Sequence, residues 1–330
     1  MRSNAFALFL AVTSSHVASA ASQTYAATLA SLYGMPTSTV LPFPSTTIPA
    51  PTAQAFITAG ASPDNLGWSL SKGRLQNGGD NMAFVADPFP SASLTKDPDV
   101  SASSYAQPVL QITYPAGSYS NHTGGGAQFI QLWNTTSNLQ SVVLSYEVAF
   151  DSGFDFVKGG KLPGLRGGPD VLGCSGGKQA DGKSCFSTRL MWRTSGNGEI
   201  PVRLAFHLHR VAGNLTAPTD NVANGQLQLF YNDLLAISQN GVQYRNSDDI
   251  ASVSGLFFST FFGGEDSSWA SPKEQHTYFR NIRMWGSDAP SNMTGNKINA
   301  ATPVTAAAVS LWLPVLTGMI SAFLGAAFAF

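Results

Sequence analysis

Ser141 to Asp151 reads SVVLSYEVAFD. Val142, Leu144, Tyr146, Val148 and Phe150 occupy every second position, and this alternation puts an apolar row on one face of a β-strand. Working outward, further strand signals stand at 81–86, 108–114, 127–133, 154–158, 186–194, 202–210, 226–231, 234–238, 255–262 and 276–286. Turn residues separate them, and Tyr231-Asn232-Asp233 reads as a hairpin turn. No long amphipathic helix interrupts the series, which argues against a parallel α/β sheet. The expected fold is all-β: a jelly-roll β-sandwich with a concave face suited to a ligand.

The ends of the chain differ from its middle. Arg2, the apolar run Ala5 to Val12 and Ala18-Ser19-Ala20 make residues 1–20 read as a secretory signal peptide. Residues 21–65 are rich in Ala, Ser, Thr and Pro, a composition that does not fold by itself. Only the stretch Thr24 to Tyr33 looks helical, and folded sequence is expected from about Gly67-Trp68. The domain is placed at 66–287, followed by a polar spacer at 288–305 and an apolar tail at 306–330. No charged residue follows Lys297. Small residues, a polar spacer and an apolar tail in that order read as a signal for a GPI anchor, and hence attachment to a membrane at the cell surface. The alternative is a retained transmembrane helix. Sequons at Asn121, Asn134, Asn214 and Asn292 fit passage through the secretory pathway.

Charged residues make up only 11% of the chain and the net charge is −1. A nucleic-acid partner needs a basic footprint over a whole face, so that class is disfavoured. The two cysteines, Cys174 and Cys185, are expected to pair in an oxidising compartment. Closing so short a loop stabilises by about 2–3 kcal/mol in the chain-entropy picture. Their spacing does not match a zinc site, so no metal and no cofactor are expected.

The scarce charge concentrates in FDFVKGGKLPGLRGGPDVLGCSGGKQADGKSCFSTRLMWR, Phe154 to Arg193. Lys158, Lys161 and Arg166 stand on what reads as a glycine-rich turn. A cysteine-tied loop follows. The next strand sets Ser187, Arg189, Met191 and Arg193 on one face and Phe186, Thr188, Leu190 and Trp192 on the other. One side fits a core, and the other presents fixed positive charge to an acidic polymer such as a uronic acid polysaccharide. Arginine's planar fork matches a carboxylate, and glycines beside the lysines let a ligand approach closely. His207 and His209 share a strand face with Arg203 and are candidate binding or proton-transfer groups. Gln131, Tyr231 and Tyr278 are weaker candidates.

Other motifs carry less. Gly173-Cys174-Ser175-Gly176-Gly177 matches a nucleophile elbow in letters only, because it lies in a cysteine-bounded loop rather than a strand-to-helix turn. Glu265 and Asp266 are adjacent, while Glu147 and Glu199 stand alone, so no facing carboxylate pair for glycoside hydrolysis emerges. FFSTFFGG at 257–264 reads as a core strand turned by Gly263 and Gly264.

VKGGKLPGLRGG, SGG…CFSTRLMWRTSGNGE, LFYND at 229–233 and GLFFSTFFGGEDSSWASP at 255–272 occur in that order. Together they resemble the fungal branch of polysaccharide lyase family 14, the alginate- and glucuronan-lyase-like proteins, over residues 66–287. The resemblance implies a β-jelly roll and a secreted lyase acting on acidic polysaccharide. It places the family's neutralising and catalytic Lys, Ser and Arg on Lys161, Ser187 and Arg189. Lys158, Arg166, Arg193, His207, His209 and Gln131 are the expected substrate-binding residues around them. One departure is plain. Family members carry Tyr-x-Tyr after the GxGE turn as proton-transfer groups, whereas here Gly198-Glu199 runs into Ile200-Pro201-Val202-Arg203. The general base and acid are thus unassigned, and a non-catalytic, wall-anchored binder of acidic glycan is the alternative expectation.

Overall fold

The alternating segment forms a strand, Ser141–Phe150, buried along its whole length. The computed structural model describes residues 23–60, 68–88, 97–120, 123–170, 172–175, 178–194, 202–209 (backbone alone), 222–247, 249–289 and 295–297. The expected signal peptide, apolar tail, sequons at Asn121, Asn214 and Asn292, and the Gly198-to-Pro201 departure lie outside the described residues.

The helices are α1 (Ala26–Leu32) and α2 (Thr52–Gly60). The described strands, in chain order, are β1 (Thr37–Val40), β2 (Trp68–Leu70), β3 (Met82–Val85), β4 (Val109–Tyr114), β5 (Ala127–Trp133), β6 (Ser141–Phe150), β7 (Gly159–Leu162), β8 (Gly164–Gly167), β9 (Phe186–Ser187), β10 (Leu190–Arg193), β11 (Val202–His209), β12 (Val222–Ala223), β13 (Gly225–Tyr231), β14 (Leu234–Val242), β15 (Val253–Thr260), β16 (Gln275–Ser287) and β17 (Asn296–Lys297). An eight-stranded sheet runs β14-β13-β11-β6-β16-β4-β3, with β1 also on β16. A five-stranded sheet runs β2-β5-β15-β8-β9. The pairings within both are antiparallel. The pair β7-β10 extends the second sheet, because Gly160 bridges to Phe262 just beyond β15. This is the jelly-roll β-sandwich expected from the strand pattern.

The core lies between the sheets. Val142, Leu144, Tyr146, Val148 and Phe150 of β6 enter it with Phe129, Leu165, Leu256, Phe258, Phe262 and Phe279. Phe129 stacks on Phe258 at 4.5 Å between ring centroids. Tyr146 reaches across and donates to the Pro163 carbonyl at 2.9 Å, which ties the β7–β8 bend to the opposite sheet. Apolar surface removed from water on this scale is the main stabilising term.

Four expectations need correction. Residues 154–158 are not a strand: Phe154 and Phe156 are buried, but the backbone turns at Val157, whose φ is +47°. The glycine-rich run after it is not one turn but the two strands β7 and β8, so Lys161 and Arg166 sit on strands. The strand at 186–194 is broken at Thr188-Arg189, where Thr188 bonds Leu165 through both its backbone N–H (2.9 Å) and its Oγ1 (3.2 Å). Finally, ordered structure does not start at Trp68. Helix α1 packs Ala26, Leu29 and Ala30 against Val143, Phe230 and Trp285, β1 pairs with β16, and Leu41, Ala53 and Ile57 join the main core. The segment lacks the means to fold alone but supplies apolar side chains to a surface already built. At the other end, Asn296–Lys297 pairs with β12, within the stretch read as a spacer.

Strand β14 forms an edge, is solvent-exposed, and presents Leu234, Leu235 and Ile237 to water.

If the N-terminal segment belongs to the domain, Leu29→Ala will lower stability by about 2–4 kcal/mol in denaturant unfolding. A loss below about 0.5 kcal/mol, typical of surface positions, would detach that segment from the fold.

Candidate active site

Alternation along β15 decides what lies on the face turned away from the core. Leu256, Phe258 and Phe262 point inward. Phe257, Ser259 and Phe261 therefore line the outer face, where Ser259 stands opposite Gln128 of β5. Lys161 follows inward-facing Gly160, which pairs with core residue Trp192, so Lys161 and its partner Met191 also face outward. Ser187 pairs with Arg166 on the same side, and Arg189 lies two residues on.

Phe257 and Phe261 form a floor for two cations. The Arg189 guanidinium carbon lies 4.0 Å from the Phe257 ring centroid, and Lys161 Nζ lies 5.0 Å from that of Phe261. Both contacts are of cation–π type. Arg189 donates from Nη2 to the Cys174 carbonyl at 2.6 Å and from Nη1 to Ser259 Oγ at 3.5 Å, while its buried Nε–H has no hydrogen-bond partner among the described residues. Ser259 donates to Gln128 at 3.2 Å, and Gln128 donates to Gln76 at 2.8 Å, so a polar chain crosses the sheet beneath the guanidinium. Burial lowers the Arg189 pKa to about 10, leaving it cationic at neutral pH. Burial, with Arg189's charge second, brings Lys161 down to about 8. Two cations held together against apolar rings favour whatever anion settles between them.

The loop before β9 fixes this arrangement. Cys174 and Cys185 are joined, with Cα atoms 5.8 Å apart. Asp181 accepts from the N–H groups of Lys183 (2.9 Å) and Ser184 (2.7 Å) and from Ser184 Oγ (2.7 Å), closing the turn inside the loop. These bonds hold its carboxyl well below the usual range.

The other expected residues separate into three groups. Lys158 and Arg193 are exposed on either side of Gly159, at the end of the face beyond Lys161, with Arg193 directly opposite that glycine. Arg166 is not a surface cation: it is 2% exposed, and its Nη2 donates to the carbonyls of Gly168 (3.2 Å) and Asp170 (2.6 Å). It braces the chain leading into the cysteine loop. Gln131 is likewise corrected. It is 1% exposed and faces the core opposite Leu256, beside Leu41, Phe84 and Leu110, on the wrong side of β5 for the cations. His207 and His209 lie on β11 of the eight-stranded sheet, opposite Val143 and Ser141, not on the sheet carrying Arg189; their side chains are outside the description. Asn134 is exposed, and its Oδ1 accepts from Ser69 at 2.9 Å.

Tyr278 also belongs to the eight-stranded sheet. It donates to Asp151 at 2.8 Å, and burial first, then the Asp151 carboxylate, push its pKa up to about 12. Phe257, Ser259, Phe261 and Gln128 escaped the sequence reading because FFSTFF is apolar on both faces, so period two gave no contrast. The available signal was the polar pair Ser259-Thr260 inside that run.

A lysine unfolds to its ordinary value of 10.5, above the folded value of about 8. The unfolded chain therefore binds more protons between those limits, and stability rises with pH across that window. NMR titration of labelled lysine will show one ammonium deprotonating near pH 8, and Lys161→Met will remove that resonance.

The polysaccharide lyase 14 family model matches residues 102–210 and 205–282. The two pieces overlap at residues 205–210, a few positions after Gly198-Glu199. Among solved structures, the PL-14 alginate lyase from Aplysia kurodai is 23% identical with a TM-score of 0.52, over 77% of this chain and 99% of that one. Alginate lyase Aly36B is 16% identical with a TM-score of 0.52, over 78% and 99%. A variant of it in complex with alginate tetrasaccharide gives 16% and 0.51, over 76% and 97%. No curated protein matches the chain. With the family model spanning more than half its length, and the jelly roll in common with these lyases, the chain belongs to the polysaccharide lyase 14 family.

Proposed function

We propose that the chain is a secreted lyase that cleaves a uronic acid polysaccharide by β-elimination. The observation that carries this is the convergence of Lys161 and Arg189 on one aromatic floor. The C5 proton of a uronate is very weakly acidic while its carboxylate is negative. Lys161 and Arg189 neutralise that carboxylate and hold the charge of the enolate-like intermediate. Ser187, on the same face, donates a hydrogen bond that orients it. A general base takes the C5 proton, the C4–O bond breaks, a C4–C5 double bond forms, and an acid protonates the departing oxygen. The alginate tetrasaccharide held by the Aly36B variant supports an acidic polysaccharide as partner.

A second reading rests on the missing Tyr-x-Tyr. Without those proton-transfer groups the same face would retain acidic glycan without cleaving it. The N-terminal signal pattern, the disulfide and the sequons support secretion, and the apolar tail supports a GPI anchor at the cell surface.

The elimination product absorbs ultraviolet light, so incubation with alginate and glucuronan will raise absorbance, and a neutral glucan will not. Lys161→Ala and Arg189→Ala will each cut the rate by about 100-fold or more, the scale of losing a group that stabilises developing charge. Retention on immobilised uronan with no absorbance change would establish the binder and end the lyase reading. Phosphatidylinositol-specific phospholipase C will release the mature protein from expressing cells, and persistence in the membrane would rule out the lipid anchor.

A further inference from the structure

We propose that Trp269, with Lys158 beside it, forms a second sugar subsite, holding the uronate next along the chain from the one at Lys161 and Arg189. This rests on the acidic-polysaccharide reading and extends it from one sugar to two.

The backbone register sets the spacing. Lys161 N–H donates to the Phe261 carbonyl and Gly263 N–H to the Gly159 carbonyl, both at 2.9 Å. Phe261 and Gly263 lie on the same side of the chain, two residues apart, which is a step of ~7 Å. Phe261 carries Lys161, and Gly263 carries Trp269. A Cβ on Gly263 would stand 3.4 Å from Cε3 and Cζ3 of the indole, and one on Gly264 would fall 2.0 Å from its Cδ1. Only glycine at 264 leaves room for the indole, which thus lies against the Gly263 backbone, one step along from the Lys161 floor and on the same face.

Burial separates this tryptophan from those that fill the core. Trp68 and Trp192 are fully or nearly enclosed, whereas Trp269 is half-buried. Its position is fixed all the same. Trp269 N–H donates to the Asp266 carbonyl at 3.2 Å, and Asp266 accepts from Ser268 N–H at 2.8 Å.

Lys158 Nζ lies 5.7 Å from the ring centroid and donates to Ser268 Oγ at 2.5 Å. Glu265 and Asp266 are exposed on the same turn, and Asp266 feels the Lys158 charge, so the field there is partly balanced. Stacking thus contributes more than charge: the C–H face of a pyranose packs on the indole while its carboxylate reaches Lys158. An amphipathic ring beside a cation suits a uronate better than a neutral sugar.

The test is calorimetric titration of the secreted chain with single uronates and with the disaccharides of alginate and glucuronan. Trp269→Ala will weaken disaccharide binding by about tenfold and leave binding of the single uronate within about twofold, while Trp269→Phe will retain most of the affinity. Lys158→Gln, a change at an exposed side chain with little bearing on folding, will produce the same length-selective loss. Equal losses for both lengths, or none, in the Trp269 and Lys158 variants would overturn the second subsite and leave the primary site standing. A wild-type chain that binds none of these oligosaccharides would overturn the acidic-polysaccharide reading, and the subsite with it.

Discussion

The packing of Trp192 on Gly160 underlies the rest of the arrangement. A Cβ at Gly160 would lie 1.9 Å from the Trp192 Cζ2, so no other residue permits the indole to sit there. From that position Trp192 meets Tyr114, Phe150, Phe154 and Phe262 at centroid distances of 6.0, 6.1, 6.1 and 5.5 Å, each nearly perpendicular. Edge-to-face contacts of this kind add to the energy of simple burial. They anchor the β7–β10 pair to both sheets. Because alternate residues of a strand point to opposite sides, anchoring Gly160 and Trp192 inward obliges Lys161 and Met191 to point outward.

Three basic residues of similar sequence context take different parts. Arg166 turns its guanidinium to the backbone of the segment leading to the cysteine loop, Arg189 shares its donors between the Cys174 carbonyl and Ser259, and Lys158 stands in solvent by Trp269. Position relative to the loop decides the outcome. Where chain covers a cation, its donors are drawn to carbonyls; where the chain is bare glycine, the cation is left to the surface.

Much of the fold was legible because β6 and its neighbours have one apolar row each, and period two is unambiguous when the faces differ. Ser187, Arg189, Met191 and Arg193 emerged on the side expected of them for the same reason. Legibility failed where both faces are apolar, as in β15, or where glycine removes the side-chain signal, as in β7 and β8. Arg166 could not be placed from sequence, since its burial depends on a loop folding back over it. Nor could the docking of Leu29 and Ala53, which depends on surfaces formed by residues more than a hundred positions away for the first.

The bond from Arg189 to the Cys174 carbonyl has a bearing on how an anion would be received. Removing a guanidinium from water is costly, and here folding has already borne that cost, with a backbone dipole and an aromatic ring as partial replacements for solvent. An incoming carboxylate meets a partly dehydrated cation, so recognition becomes an exchange of acceptors within a prepared setting instead of capture by a mobile, hydrated charge.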